Sequence, residues 1–268
     1  MNKIINLSIL LLLSINLCLA QHNLGPRLTA MGNNGAAVPD IWSVEANPSA
    51  ITAIKSKTVA LNYSKYLFET ELSKQAIAFI IPIKNNVIGM SFQRYGITEY
   101  NEIKIGLALA KQFGDKLSIA LKGNYHQIKI TNYGATKGFS VDVGAKYNYN
   151  ELLTFGLYIN NPSLQKYSSK EVETTIPTVV NAGVAYQASD KMLIATTVSK
   201  DFKGKIDVGL GIDYKLLGLL SLRGGLTAKP FKQYAGFGIN YKKLTLDFAV
   251  ESDPYLGYTP QIALAYAF

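Results

Sequence analysis

The side chains best placed to do chemistry are charged groups that recur at every second position of alternating segments. Glu102, Lys104, Lys122, Asp142, Lys146, Lys205, Asp207, Asp213, Arg223, Asp247 and Glu251 all fall on the face opposite the large apolar residues. Acidic and basic members occupy neighbouring segments, so they can pair across strands and line a hydrated interior. Two outcomes are open. In one, a narrow barrel neutralises its own interior charges and fastens a plug with them; in the other, the charges line a selective conducting pore. Gly106, Ala108, Gly144, Gly209, Gly211, Gly225, Gly236 and Gly238 share that face and leave room for a packed segment or a ligand path.

No catalytic constellation accompanies these charges. The histidines are His22 and His126. His126, between Tyr125 and Gln127 at an outer strand end, reads as a solvated polar residue, since a metal site needs converging partners. Neither histidine stands where a Ser–His–Asp triad would need it. Gly209-Leu210-Gly211 and Gly236-Phe237-Gly238 have the two-residue period of strands, with no helix after them to make a phosphate loop. An enzyme is not expected, nor is a bound cofactor or metal. The one cysteine, Cys18, lies in the leader described below, so the mature chain offers no disulfide or thiolate.

What must position the charged face is a set of strands. Residues at 139–148, 206–214, 244–251 and 102–109 alternate large apolar with small or polar side chains, which a 3.6-residue period would scramble. Fourteen such segments follow one another, at 57–67, 72–83, 86–96, 101–113, 116–130, 137–149, 151–160, 177–187, 190–200, 204–215, 218–228, 232–241, 243–251 and 259–268. Each is about ten residues long, the length of a tilted membrane strand. A soluble sandwich alternates too. The connections discriminate: turns after even segments are tight, whereas those at 161–176, 252–258, 131–136 and 97–100 are longer. Tyr147, Tyr186, Tyr214, Tyr241 and Tyr266 recur near even-segment ends in the apolar register, as an interfacial girdle would. The expected fold is all-β, a transmembrane antiparallel up-and-down barrel of about 14 strands with an N-terminal hatch.

The chain ends agree with export. Lys3, an Ile/Leu-rich run and Cys18-Leu19-Ala20 form a signal peptide cleaved after Ala20, with Leu17 arguing against lipidation at Cys18. Residues 21–56 do not alternate and precede the barrel at 57–268 as a periplasmic or hatch segment. The formal charge is +9, dispersed along the chain with no basic block, which argues against nucleic acid as a partner. The last strand runs to Phe268, large apolar residues alternating with alanines, as a strand that closes a barrel in lipid would.

Leu24-Gly25-Pro26-Arg27 through Ala30-Met31-Gly32, then Gly35-Ala36-Ala37-Val38, then Glu45-Ala46-Asn47-Pro48-Ser49-Ala50 resemble the opening of FadL-like outer-membrane proteins, and within them the PorV/PorQ-like branch. The resemblance implies a fourteen-stranded barrel in the cell outer membrane whose hatch carries Gly25, Arg27, Met31, Gly32, Asn47 and Pro48. Tyr266 and Phe268 resemble the terminal aromatic signal read by outer-membrane assembly machinery. Two roles follow from the resemblance: passive transport or binding of hydrophobic small molecules, or a non-transporting accessory role in a type IX secretion or outer-membrane assembly complex. The partners it implies are outer-membrane lipid, the assembly machinery, and a hydrophobic ligand or a secretion-system protein.

Overall fold

The computed structural model describes residues 24–66, 71–168, 175–202, 204–255 and 257–268. The expected signal peptide, with Cys18, and His22 lie outside the described residues. Fourteen strands form one closed antiparallel barrel in which each strand pairs with its neighbours in sequence and β1 (Thr58–Lys65) pairs with β14 (Gly257–Ala267). The others are β2 (Ser73–Ile83), β3 (Asn86–Gly96), β4 (Tyr100–Phe113), β5 (Leu117–Ile130), β6 (Gly134–Asn148), β7 (Leu153–Asn160), β8 (Val179–Ser189), β9 (Met192–Asp201), β10 (Ile206–Lys215), β11 (Leu220–Ala228), β12 (Phe231–Tyr241) and β13 (Leu244–Asp253). Closure leaves no sheet edge, the condition a spanning sheet must meet in hydrocarbon. The ladder ends where Phe268 N–H donates to Lys57 O at 2.8 Å.

Alternation sorts the side chains as period-2 geometry requires. Leu107, Leu121, Leu210 and Leu264 are exposed on the outer face, while Ala108, Lys122, Gly211 and Ala263 between strands of the same register are buried inside. Leu107 is 58% exposed and Leu121 57%. An apolar band that encircles a molecule is far larger than the patches soluble proteins leave bare, so the exterior is a lipid-facing surface. Tyr147, Tyr186, Tyr214, Tyr241 and Tyr266 all point outward near the even-strand ends.

Connections after even strands define one rim, here the turn rim; the others define the loop rim. The turn-rim connections run from two residues, as between β2 and β3, to four, as between β6 and β7 and between β10 and β11. The loop rim corrects an expectation. Residues 97–99, 131–133 and 254–256 are also short, because β4, β6, β13 and β14 run further than alternation alone indicated. Only 66–72 and 161–178 are long there. The latter compensates for a short β7: β6 pairs with β7 only from Val143 to Asn148, and above that Ser168 N–H donates to Lys137 O at 2.7 Å.

Candidate functional site

Residues 24–54 lie within the barrel. Helix α1 (Gly25–Ala30) packs on β11–β14, and a 3-10 helix (Pro48–Ala53), preceded by α2 (Ser43–Ala46), packs on β3–β6. The segment therefore crosses the lumen from wall to wall. Its turns explain the residue types found there. Gly32, at φ +71°, sits against the backbones of β10 and β11; a Cβ on it would lie 2.8 Å from both Leu210 O and Leu226 O. Gly211 and Gly225 complete that approach, since a Cβ on either would overlap the Met31 carbonyl group. Asn47 joins the halves: its amide donates to Ala36 O at 2.6 Å and to Ala145 O on β6 at 3.1 Å, and its Oδ1 accepts from Ser49 N–H at 3.2 Å as the cap of the 3-10 helix. Pro48 opens that helix, where its missing N–H costs nothing.

Two ionic junctions hold the segment to opposite walls. In the first, the fully buried Glu45 carboxylate is bonded to Lys122 of β5, to Lys104 of β4 at 2.8 Å, and to Ser91 Oγ of β3 at 2.5 Å. Burial alone would raise the Glu45 pKa. The ammonium groups of Lys104 and Lys122 outweigh that and hold it below the usual carboxylate range. In the second, Arg27 donates to Asp213 of β10 at 2.9 Å and to Pro39 O at 2.8 Å, with Asp40 at 3.4 Å. Arg223 of β11 extends it, 3.3 Å from Asp213 and 2.5 Å from Asp247 of β13.

Three cavities flank the segment. One, about 80 Å³, opens toward the loop rim and is lined by Lys74, Gln93, Tyr95, Glu102, His126 and Tyr167 among others. A second on that side, about 90 Å³, lies over Glu45 beside Tyr158 and Asn181. The third, about 270 Å³, lies toward the turn rim between Trp42, Arg27, Lys215 and Thr245. Residues 24–54 lie between the loop-side cavities and the turn-side one.

The structure places the expected lumen charges unevenly. Lys104, Lys122, Asp213, Arg223 and Asp247 join the two junctions. Glu251 pairs instead with Lys232 at 2.7 Å, a residue the alternating face contained but the sequence reading passed over. Lys232 also meets Asp253 at 2.9 Å. Asp142 takes neutral donors, Asn124 at 2.8 Å, Tyr158 OH at 2.8 Å and the Asn161 N–H at 3.1 Å. Glu102 accepts from Tyr100 OH at the cavity wall. Lys146 is buried nearer the turn rim. Asp207 is not a lumen charge: it sits at the loop rim and accepts from Ala228 N–H at 3.1 Å and Lys229 N–H at 2.8 Å, closing the β11–β12 turn. Lys205 is exposed ahead of β10. His126 is another correction, since it faces inward, 2.8 Å from Ser140 Oγ and edge-on to Tyr167. Cross-strand pairing was expected for Lys104 and Lys122; their partner is Glu45, more than 50 residues away in the chain.

No protein-family model matches the sequence, and no curated protein matches it. The fold recurs among solved structures. The Ralstonia pickettii toluene transporter TbuX superposes with a TM-score of 0.69 at 13% identity, over 91% of this chain and 98% of that one. The P. putida toluene transporter TodX gives 0.71 at 10% identity, over 91% and 98%. The fold is FadL-like. A Pseudomonas aeruginosa FadL homologue superposes at 0.63 with 11% identity, over 93% of this chain and 99% of that one.

Proposed function

We propose that the protein is an outer-membrane channel for the passive entry of small hydrophobic molecules, with residues 24–54 acting as its hatch. The observation that carries this reading is the position of that segment, packed on opposite walls with cavities on its loop side and its turn side. The fold likeness to toluene transporters supports the same role. An even strand number brings both barrel ends to the turn rim, which faces the periplasm in this reading, so the loop rim faces outward. Gly25, Arg27, Met31, Gly32, Asn47 and Pro48 seat the hatch. Glu45 and the Arg27–Asp213–Arg223 junction hold it shut. A leader ending at Ala20 would deliver the chain to the envelope. In the 161–178 connection, Leu164 is exposed to solvent, whereas Ile176 is buried at the loop-side cavity.

The finer PorV/PorQ-like assignment rests on the N-terminal motif, and a secretion-associated role would require a protein partner. Native mass spectrometry of the protein extracted in mild detergent separates the two. Release of a small apolar compound on collisional activation supports the channel. Retention of a stoichiometric secretion-system protein, with no small molecule, overturns it.

A further inference from the structure

The charge that looks dispersed along the sequence is gathered in space. An up-and-down barrel returns the chain to the same rim at every second connection, so lysines far apart in sequence become neighbours. Lys84 lies in the first even turn, Lys111 and Lys116 flank the second, Lys191 is in the fourth, and Lys242 and Lys243 form the sixth. Lys215 ends β10, and Lys55 and Lys57 precede β1. All nine are exposed, against three carboxylates there, Asp115, Glu151 and Asp190, a net +6 of the chain's +9. Among the described residues, the loop end carries ten basic side chains against seven acidic ones, closer to balance.

Two of these lysines are seen at the lipid boundary. Lys111 Nζ stands 5.2 Å from the ring centre of Phe113, on the same outward face of β4. Lys242 Nζ stands 5.3 Å from the ring of Tyr241, one of the outward tyrosines near the even-strand ends. An ammonium over an outward aromatic ring is where a lysine snorkels, its stem along apolar surface and its charge at headgroup depth.

We propose that the turn rim is a binding ring for anionic phospholipid headgroups in the leaflet it meets. A soluble acidic partner would be met by one patch. These lysines instead lie in or next to five of the six even turns and on the approach to β1, so they are spread around the barrel as a leaflet is. Basic groups close to a bilayer surface draw anionic lipid by additive, salt-screened attraction.

The mature protein would be reconstituted in nanodiscs of phosphatidylcholine with phosphatidylglycerol, re-extracted, and its retained lipids weighed by native mass spectrometry. The expected result is enrichment of phosphatidylglycerol by at least about fivefold, declining at high salt. The variant Lys84→Gln/Lys111→Gln/Lys191→Gln/Lys242→Gln/Lys243→Gln should lose that preference while its gel mobility still shifts on boiling. Where this variant does not fold, the pairs Lys84→Gln/Lys111→Gln and Lys242→Gln/Lys243→Gln should each lower the enrichment. Equal retention of both lipids by the unaltered protein overturns the proposal, as does undiminished preference in the folded variants. Transport plays no part in this readout, so the result stands whatever crosses the lumen.

Discussion

Replacing Glu45 with Gln should release residues 41–54 from the β3–β5 wall while leaving the barrel intact. Glu45 is the carboxylate that Lys104 and Lys122 share, and the Lys122 side chain is fully buried. Removing one member of a buried ion pair costs about 3–5 kcal/mol, mostly because a charge is left without compensation. The Lys104 side chain is 14% exposed and can turn to water, so the lower figure applies. About 3 kcal/mol is roughly a hundredfold change in the opening equilibrium of residues 41–54. Hydrogen exchange read by mass spectrometry on peptides covering 41–54 measures it, with the β9–β12 ladder as internal reference. Adding Lys122→Met should restore much of the protection, because the orphaned ammonium goes with it. Protection of 41–54 within about threefold of the parent protein would refute the reasoning, since a junction worth this much cannot be removed silently. Acid gives a signed check. The folded-state Glu45 pKa lies below the unfolded value, so its contribution is complete above about pH 4.3 and is lost only as pH falls through the depressed value. Residues 41–54 should therefore stay protected in mild acid at pH 5.

Gly225→Ala places a Cβ against the Met31–Gly32 peptide and should weaken seating of residues 24–38 by about 1–3 kcal/mol, seen as faster exchange there with normal heat-modifiable migration. Unchanged exchange would mean that the close approach is not tight. Deleting Phe268 removes the hydrogen bond to Lys57 O and the ring that meets Tyr266 edge-on at 5.0 Å. The fraction of chains reaching the heat-modifiable barrel should fall; full assembly of this variant would show that the terminal aromatic is not read as a signal.

The barrel was legible because its information is local. Each strand states its own period, and Phe139–Tyr147 or Ile206–Tyr214 needs no knowledge of the rest to be placed with one face inward. Strand ends at the loop rim were less legible. Gly134 through Thr136 reads as a loop by composition, yet continues β6 because β5 extends beside it through Ile130. Charge partners were the least legible part. Asp213 and Arg223 are register partners on adjacent strands, and Arg223 reaches over β12 at Gly238 to Asp247. Lys104 and Lys122 look much the same in the sequence, but Glu45 reaches them from a segment whose path depends on the whole lumen. The inward glycines did carry a trace of that path. Their small size at Gly144, Gly211 and Gly225 marks where Asn47, Met31 and Gly32 approach the wall.

The central claim is that solutes cross only when residues 24–54 move, and a reversible tether tests it directly. A Cβ built on Gly183 of β8 lies 2.8 Å from the Ala36 Cβ, about 1 Å short of the usual disulfide span of roughly 3.8 Å. Ala36→Cys/Gly183→Cys can bolt the segment to the wall once it gives by about that 1 Å, which also relieves Thr196 O and Thr197 Oγ1 at 2.9 Å from the new Cβ. Uptake of labelled toluene would be followed in Gram-negative cells that lack any other protein of this fold, with bridging checked by mass. The account predicts uptake with the tether reduced and its loss with the tether oxidised. Equal uptake in both states, with bridging complete, would contradict it.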